Sequence, residues 1–203
     1  MVRLWTQPNK LGMMVIIVFL SLLALPAVVW PIEPAEAPPA RVIKSDKYST
    51  DPQTEWVQTY IEKFSESFKN SRAGRKVIKR APELSKLIVE QANRFGVDPK
   101  LLTVVVRCES SFREGMLKGK INNVGELGLA QVHGTAKNKA KKQGCDINTS
   151  EGQLCAGAYW LSVGLERCKT TEGALHFYQA GKCHSKAYGP VYRMRLLKKA
   201  GVV

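Results

Sequence analysis

From residue 54 onward, apolar side chains recur at three- and four-residue intervals, and the chain reads as a succession of helices. Thr54 to about Arg72 carries Trp56, Tyr60, Ile61, Phe64 and Phe68 at helical spacing and ends in a basic turn, Arg72-Ala73-Gly74-Arg75-Lys76. The segment from Pro82 to Gly96 has its stripe at Leu84, Leu87, Ile88, Ala92 and Phe95, with proline at the start and glycine at the stop. Asp98 to Phe112 predicts a third helix, with Asp98 as N-cap and Pro99 in the first turn. Gly115 to Gly128 is rich in Gly and Asn, with short β potential only at Ile121–Val124. Further helices are expected at Ala136–Gln143, capped by Thr135 and ended by Gly144, then at Glu151–Arg167, Glu172–Gln179 and Val191–Ala200, the last opened by Pro190. The fold class is therefore mainly α, one compact helical domain with a small Gly-rich hairpin insertion, over residues 81–203.

Upstream the pattern changes. Leu11–Trp30 is an uncharged apolar run long enough to cross a bilayer, and it exceeds the core of a cleaved signal. Residues 1–30 thus read as a signal anchor. Arg3 and Lys10 precede the run while Glu33 and Glu36 follow it, so the N-terminus is expected to stay in the cytoplasm and the rest to be exported. The expected location is the inner membrane, single-pass, with the domain in the periplasm or cell-wall space. Secretion after cleavage is the alternative: Ala35-Glu36-Ala37 offers a small-x-small site, although Pro38 follows it unfavourably. Residues 31–53 are a proline-rich linker by composition; with the amphipathic stretch they fill residues 31–80. That stretch either packs on the domain or serves as a stalk.

One polar residue breaks the helical pattern. Glu109 falls seven residues after Leu102 and four after Val105, so it shares the stripe formed by Leu101, Leu102, Val105, Cys108 and Phe112. Desolvation and the negative end of the helix dipole both favour a protonated carboxyl there. A general acid needs that state. The alternative is a Glu at the stripe's edge, solvated or paired with Arg107 or Arg113.

Charge and cysteine narrow the setting. The formal net charge is +14, and Lys137, Lys139, Lys141 and Lys142 cluster on one short helix. An exported chain of this kind is expected to meet an anionic envelope polymer, peptidoglycan carboxylates or lipid headgroups, and no nucleic acid. A merely solvated lysine face is the simpler account. Four of five cysteines (Cys145, Cys155, Cys168, Cys183) lie in the last third, and export favours disulfides. Of three possible connectivities we favour Cys145–Cys155 and Cys168–Cys183, because each ties a loop to an adjacent helix. Zinc, with His176 and His184 nearby, is disfavoured by the spacings. Cys108 reads as a small buried thiol.

Three segments acquire meaning in sequence order: Glu109-Ser110-Ser111-Phe112, Gly125-Glu126-Leu127-Gly128-Leu129-Ala130-Gln131, and Ala174-Leu175-His176-Phe177-Tyr178-Gln179-Ala180-Gly181. Together they resemble the catalytic domain of soluble lytic transglycosylases, relatives of goose-type lysozyme, over roughly Ala81–Lys199. The resemblance implies a lysozyme-like fold that cleaves the β-1,4 bond between N-acetylmuramic acid and N-acetylglucosamine in peptidoglycan. It implies Glu109 as the catalytic acid, Ser110 as an aid to positioning the sugar, and Gly128, Leu129 and Gln131 lining the cleft. Tyr178 would approach the carboxylate from the far wall. Gln179 stands where the family usually has Asn, lengthening that amide, and Ala130 replaces a common Met, which would open the floor of the groove.

Glycosidases usually place two carboxylates about the bond, but substrate-assisted ones do not. In this family the neighbouring acetamido oxygen takes the nucleophile's place. Glu109 would act first as acid and then as base, closing a 1,6-anhydro ring with no cofactor and no metal. Glu126 and Glu114 are the only nearby candidates for a second acid, and His133 for a donor to substrate. Hydrolysis of the same bond, as by a muramidase, and an inactive membrane-tethered glycan-binding scaffold are the rival readings. The partners expected are peptidoglycan glycan strands, the inner membrane and envelope machinery.

Overall fold

A computed structural model describes residues 51–113, 128–184, 186 and 188–203. The expected anchor Leu11–Trp30, the linker as far as residue 50, and the Gly-rich segment with its expected hairpin, Glu114 and Glu126 lie outside these residues. Among the described residues there are seven helices and no strand, and no helix is long and apolar enough to cross a membrane.

The helices are α1 (Pro52–Glu66), α2 (Arg72–Arg94), α3 (Pro99–Ser110), α4 (Gly134–Lys142), α5 (Ser150–Cys168), α6 (Thr171–Ala180) and α7 (Tyr188–Lys199). Their starts follow from capping. Side-chain oxygens of Asp51, Ser71, Asp98, Thr149 and Thr170 accept from backbone N–H groups two or three residues on, meeting donors that the first turn leaves unpaired. α4 departs from the expected start: it begins at Gly134 behind His133, with no side-chain cap bond.

The second helix is longer than expected. Pro82, the expected start, lies inside a 23-residue helix capped by Ser71. The buried face runs unbroken through Gly74, Val77, Ala81, Leu84 and Ile88, whereas Pro82 is exposed, so the donor that proline lacks is lost on the solvent side. The amphipathic stretch upstream, α1, packs on the domain. Val57 and Ile61 are buried in the main core, and Trp56, Tyr60 and Phe64 pack against it.

α3 is enclosed on nearly every side, with all residues from Leu101 to Val106 buried. Around it lie α1, α2, α5 and α7. α5, buried from Gly152 to Tyr159 and again at Leu161, also packs on α4 and α6. A smaller cluster joins Ala136 and Ala140 of α4 to Cys155, Ala156 and Tyr159 of α5. The opposite side of α4 carries Lys141 and Lys142 into solvent, with Lys137 and Lys139 half-exposed.

Both expected disulfides are present, Cys145–Cys155 and Cys168–Cys183. Their sulfurs are thereby withdrawn from metal ligation, and the described residues gather no cluster of His, Cys, Asp and Glu suited to a metal ion. Cys108 is a free thiol, only half-buried. Burial pushes its pKa up, with Arg193 pulling the other way.

Candidate active site

Glu109 sits in the last turn of α3, and the turn that follows is unusual. Ser111 and Phe112 both have left-handed backbones, φ 53° and 56°, a conformation that costs a non-glycine residue ~1–2 kcal/mol. Ser110 supports it: its Oγ donates to the Val106 carbonyl (3.0 Å) and accepts from Phe112 N–H (3.2 Å). Phe112 is then driven into the core, edge-on to Phe64 with ring centroids 6.0 Å apart. The Ser110 hydroxyl is therefore buried and engaged with backbone. Its placement fits shaping the chain beneath Glu109.

Arg107, one candidate partner for Glu109, is committed elsewhere. Its Nη1 donates to Tyr60 Oη at 2.7 Å, and its guanidinium lies 4.4 Å from the Phe64 ring centroid, so it ties α3 to α1. Glu109 instead meets Arg193 of α7: Nη2 donates to Glu109 Oε1 in a close ion pair. The two side chains are 17% and 7% exposed, which places the pair at the edge of the interior. A guanidinium in contact favours the ionised carboxylate, opposing burial and the helix dipole, which favour the proton. Arg193 Nη1 also reaches Gln179 Oε1 at 3.4 Å.

The second segment forms a tight turn. Gly128 has φ 70°, and a Cβ there would run into the Gln153 side chain, so the position admits only glycine. Gln153, buried on α5, clamps the turn: Oε1 accepts from Leu129 N–H (3.0 Å) and Nε2 donates to the Ile147 carbonyl (3.3 Å). Gln131, left-handed at φ 49°, folds back so that Nε2 donates to the Gly128 carbonyl at 2.6 Å.

Two expectations about this wall need correcting. Leu129 is wholly buried in the main core, so its side chain does not line a cleft. Ala130 is also wholly buried, so its small size does not open the groove. Gly157 of α5 lies directly behind it, and a Cβ there would come 2.6 Å from Ala130 Cβ; small residues on both sides let turn and helix close up. Tyr178 Oη donates to the Ala130 carbonyl at 2.7 Å, joining the third segment to the second. Gln179 is exposed at the end of α6.

Glu109 is thus linked through Arg193 to Gln179 at the end of α6, and Tyr178 of α6 to the Gly128–Gln131 turn. Sequence reading missed Gln153 and Arg193. Arg193 was open to the test that found Glu109: it lies four residues before Leu197 and three after Pro190, on the buried stripe of its helix. Gln153 sits beside the glycine and apolar positions of a helix buried all round, where a lone amide gives no periodic signal.

A helical domain that presents one half-buried acid at a helix end, beside a Gly-rich turn, belongs to the lysozyme-like class. The transglycosylase SLT domain matches residues 86–191, over half of the chain, and the protein belongs to that family. It is a peptidoglycan lytic transglycosylase that binds glycan strands. A comparison with curated proteins found no match.

Proposed function

We propose that Glu109 alone carries both proton transfers in cleavage of the MurNAc–GlcNAc β-1,4 bond. The observation that supports this is the position of Glu109, half-buried at the end of α3 in an ion pair with Arg193. Protonated Glu109 gives its proton to the leaving glycosidic oxygen as the bond to C1 breaks, while the substrate's acetamido oxygen stabilises C1. The resulting carboxylate then takes the proton of the muramoyl 6-hydroxyl as that oxygen bonds to C1. The ring closes as a 1,6-anhydro sugar, Glu109 regains its proton, and no water is consumed.

Gln131 and Tyr178 serve as the wall opposite Glu109, and Gln179 extends it at the mouth. Digestion of purified peptidoglycan followed by mass spectrometry tests the reading. The expected muropeptides are one water lighter than hydrolysis products and lack a reducing end. Reducing ends would assign hydrolysis instead, and no product at all would leave a glycan-binding scaffold. Glu109→Gln is expected to abolish turnover, a loss of at least ~10²-fold, while glycan pelleting persists.

We further propose that Leu11–Trp30 anchors the enzyme in the inner membrane, with the catalytic domain on the envelope side. The support is its length and lack of charge, flanked by Arg3 and Lys10 before and Glu33 and Glu36 after. Such tethering suits local opening of the wall for envelope machinery. Fractionation checks it: recovery in the soluble fraction after osmotic release would refute an anchor.

A further inference from the structure

Neither proton transfer uses Arg193, the most conspicuous charge in the site. Its side chain is 7% exposed, and an arginine keeps its charge even when buried. The cost of burying that charge must be offset by a partner. Nη2 donates to Glu109 Oε1, Nη1 lies at the long distance of 3.4 Å from the neutral amide of Gln179, and Nε has no hydrogen-bond partner among the described residues. Glu109 is therefore the carboxylate that balances it.

Other titratable and charged groups of the described residues lie on the helices packed about α3. On α3, Cys108 has its thiol pushed up by burial and is uncharged at neutral pH, and Arg107 is turned toward Tyr60 and Phe64 of α1. The Tyr60 phenol is likewise pushed up by burial. α6 contributes Gln179, Tyr178, whose hydroxyl is given to Ala130, and the buried His176; α7 contributes the exposed Tyr192.

We propose that Arg193 is a positioning residue that sets the acid strength of Glu109, holding the carboxylate at the end of α3 and favouring its ionised form. The inference rests on Glu109 being the general acid. Its consequence is a trade between two quantities that a Brønsted relation links. Arg193 makes the protonated enzyme scarcer at neutral pH, and it makes each protonated molecule a stronger acid. It also stabilises the state between the two half-reactions, in which the glycosidic oxygen has taken the proton and Glu109 is a carboxylate.

The test is the pH dependence of kcat/KM for the full chain on purified glycan strands, comparing wild type, Arg193→Gln and Arg193→Lys, with Glu109→Gln as control. Activity of the general acid is lost as pH rises through its ionisation. Removing the guanidinium in Arg193→Gln is expected to move that falling limb to higher pH by roughly one to three units, while the plateau at low pH drops. Arg193→Lys, which keeps a charge, is expected to leave the limb nearer to wild type. Equal losses in both variants with an unmoved limb would show a purely structural role and overturn the inference while leaving the Glu109 reading intact. Full activity in Glu109→Gln would remove the reading itself. Should Arg193→Gln fail to fold, the difference in proton uptake between wild type and Glu109→Gln decides. Uptake on the acid side of an ordinary glutamate is expected, and uptake on the alkaline side overturns the proposal.

Discussion

Replacing Gln153 with Leu isolates the clamp that holds the Gly128–Gln131 turn. Leu has a similar volume, so the change removes hydrogen bonds without opening a large cavity. It orphans the Leu129 N–H, now paired at 3.0 Å, and the Ile147 carbonyl, paired at 3.3 Å, and Gln153 is 2% exposed, so water does not readily replace either bond. Each buried orphan costs ~1–3 kcal/mol, giving ~2–6 kcal/mol together. The more apolar side chain returns ~1 kcal/mol, for a net loss of about 1–5 kcal/mol. At the middle of that range, and with a shift of ~2–4 °C per kcal/mol in a protein of this size, the melting temperature is expected to fall by ~6–12 °C. Scanning calorimetry or circular dichroism melts read this directly. Turnover measured well below the melting point is expected to fall further than the folded fraction does, because Gln131 hangs from the same turn through its bond to the Gly128 carbonyl. A melting temperature within ~1 °C of wild type together with unchanged turnover would falsify the clamp.

The disulfides close loops with sequence separations of 10 and 15, and each is expected to stabilise the fold by about 3 kcal/mol through the unfolded chain. Melts with and without reductant check this, and superimposable curves would count against it. A chain beginning at Ala81 lacks the buried Val57, Ile61 and Val77, each worth ~1.5–3 kcal/mol, and is expected to aggregate or melt without cooperativity where one beginning at Asp51 folds. Equal melts of the two would refute the packing of α1. Burial raises Cys108 above its ordinary 9.0 and Tyr60 above its ordinary 10.0. Both groups favour the folded state while neutral, so their contribution is complete below the unfolded values and is lost as pH rises through the folded ones. Urea unfolding is therefore expected to show falling stability in that alkaline window, less so in Cys108→Ser; a flat response in both proteins would contradict the burial.

Legibility in the sequence followed the range of the interaction. α3 was readable because a cap, a first-turn proline and an apolar stripe all lie within a few turns. Pro82 misled as a helix start because a local rule treats proline as punctuation, while the fold tolerates it on the exposed side of α2. Leu129 and Ala130 were assigned to a cleft by motif, yet an apolar residue in a turn looks the same whether it faces groove or core.

The anomaly of Glu109 was a property of the sequence by itself, since helical periodicity alone puts a carboxylate on an apolar face. For the disulfides the sequence favoured one of three connectivities, and the fold carries that one. Only the tertiary structure decided the partner of that carboxylate. Arg193 lies 84 residues away on another helix, and Gln153 lies 24 residues from the backbone it holds. Periodicity says which face of a helix leaves water; which charge waits on the other side depends on how the helices pack.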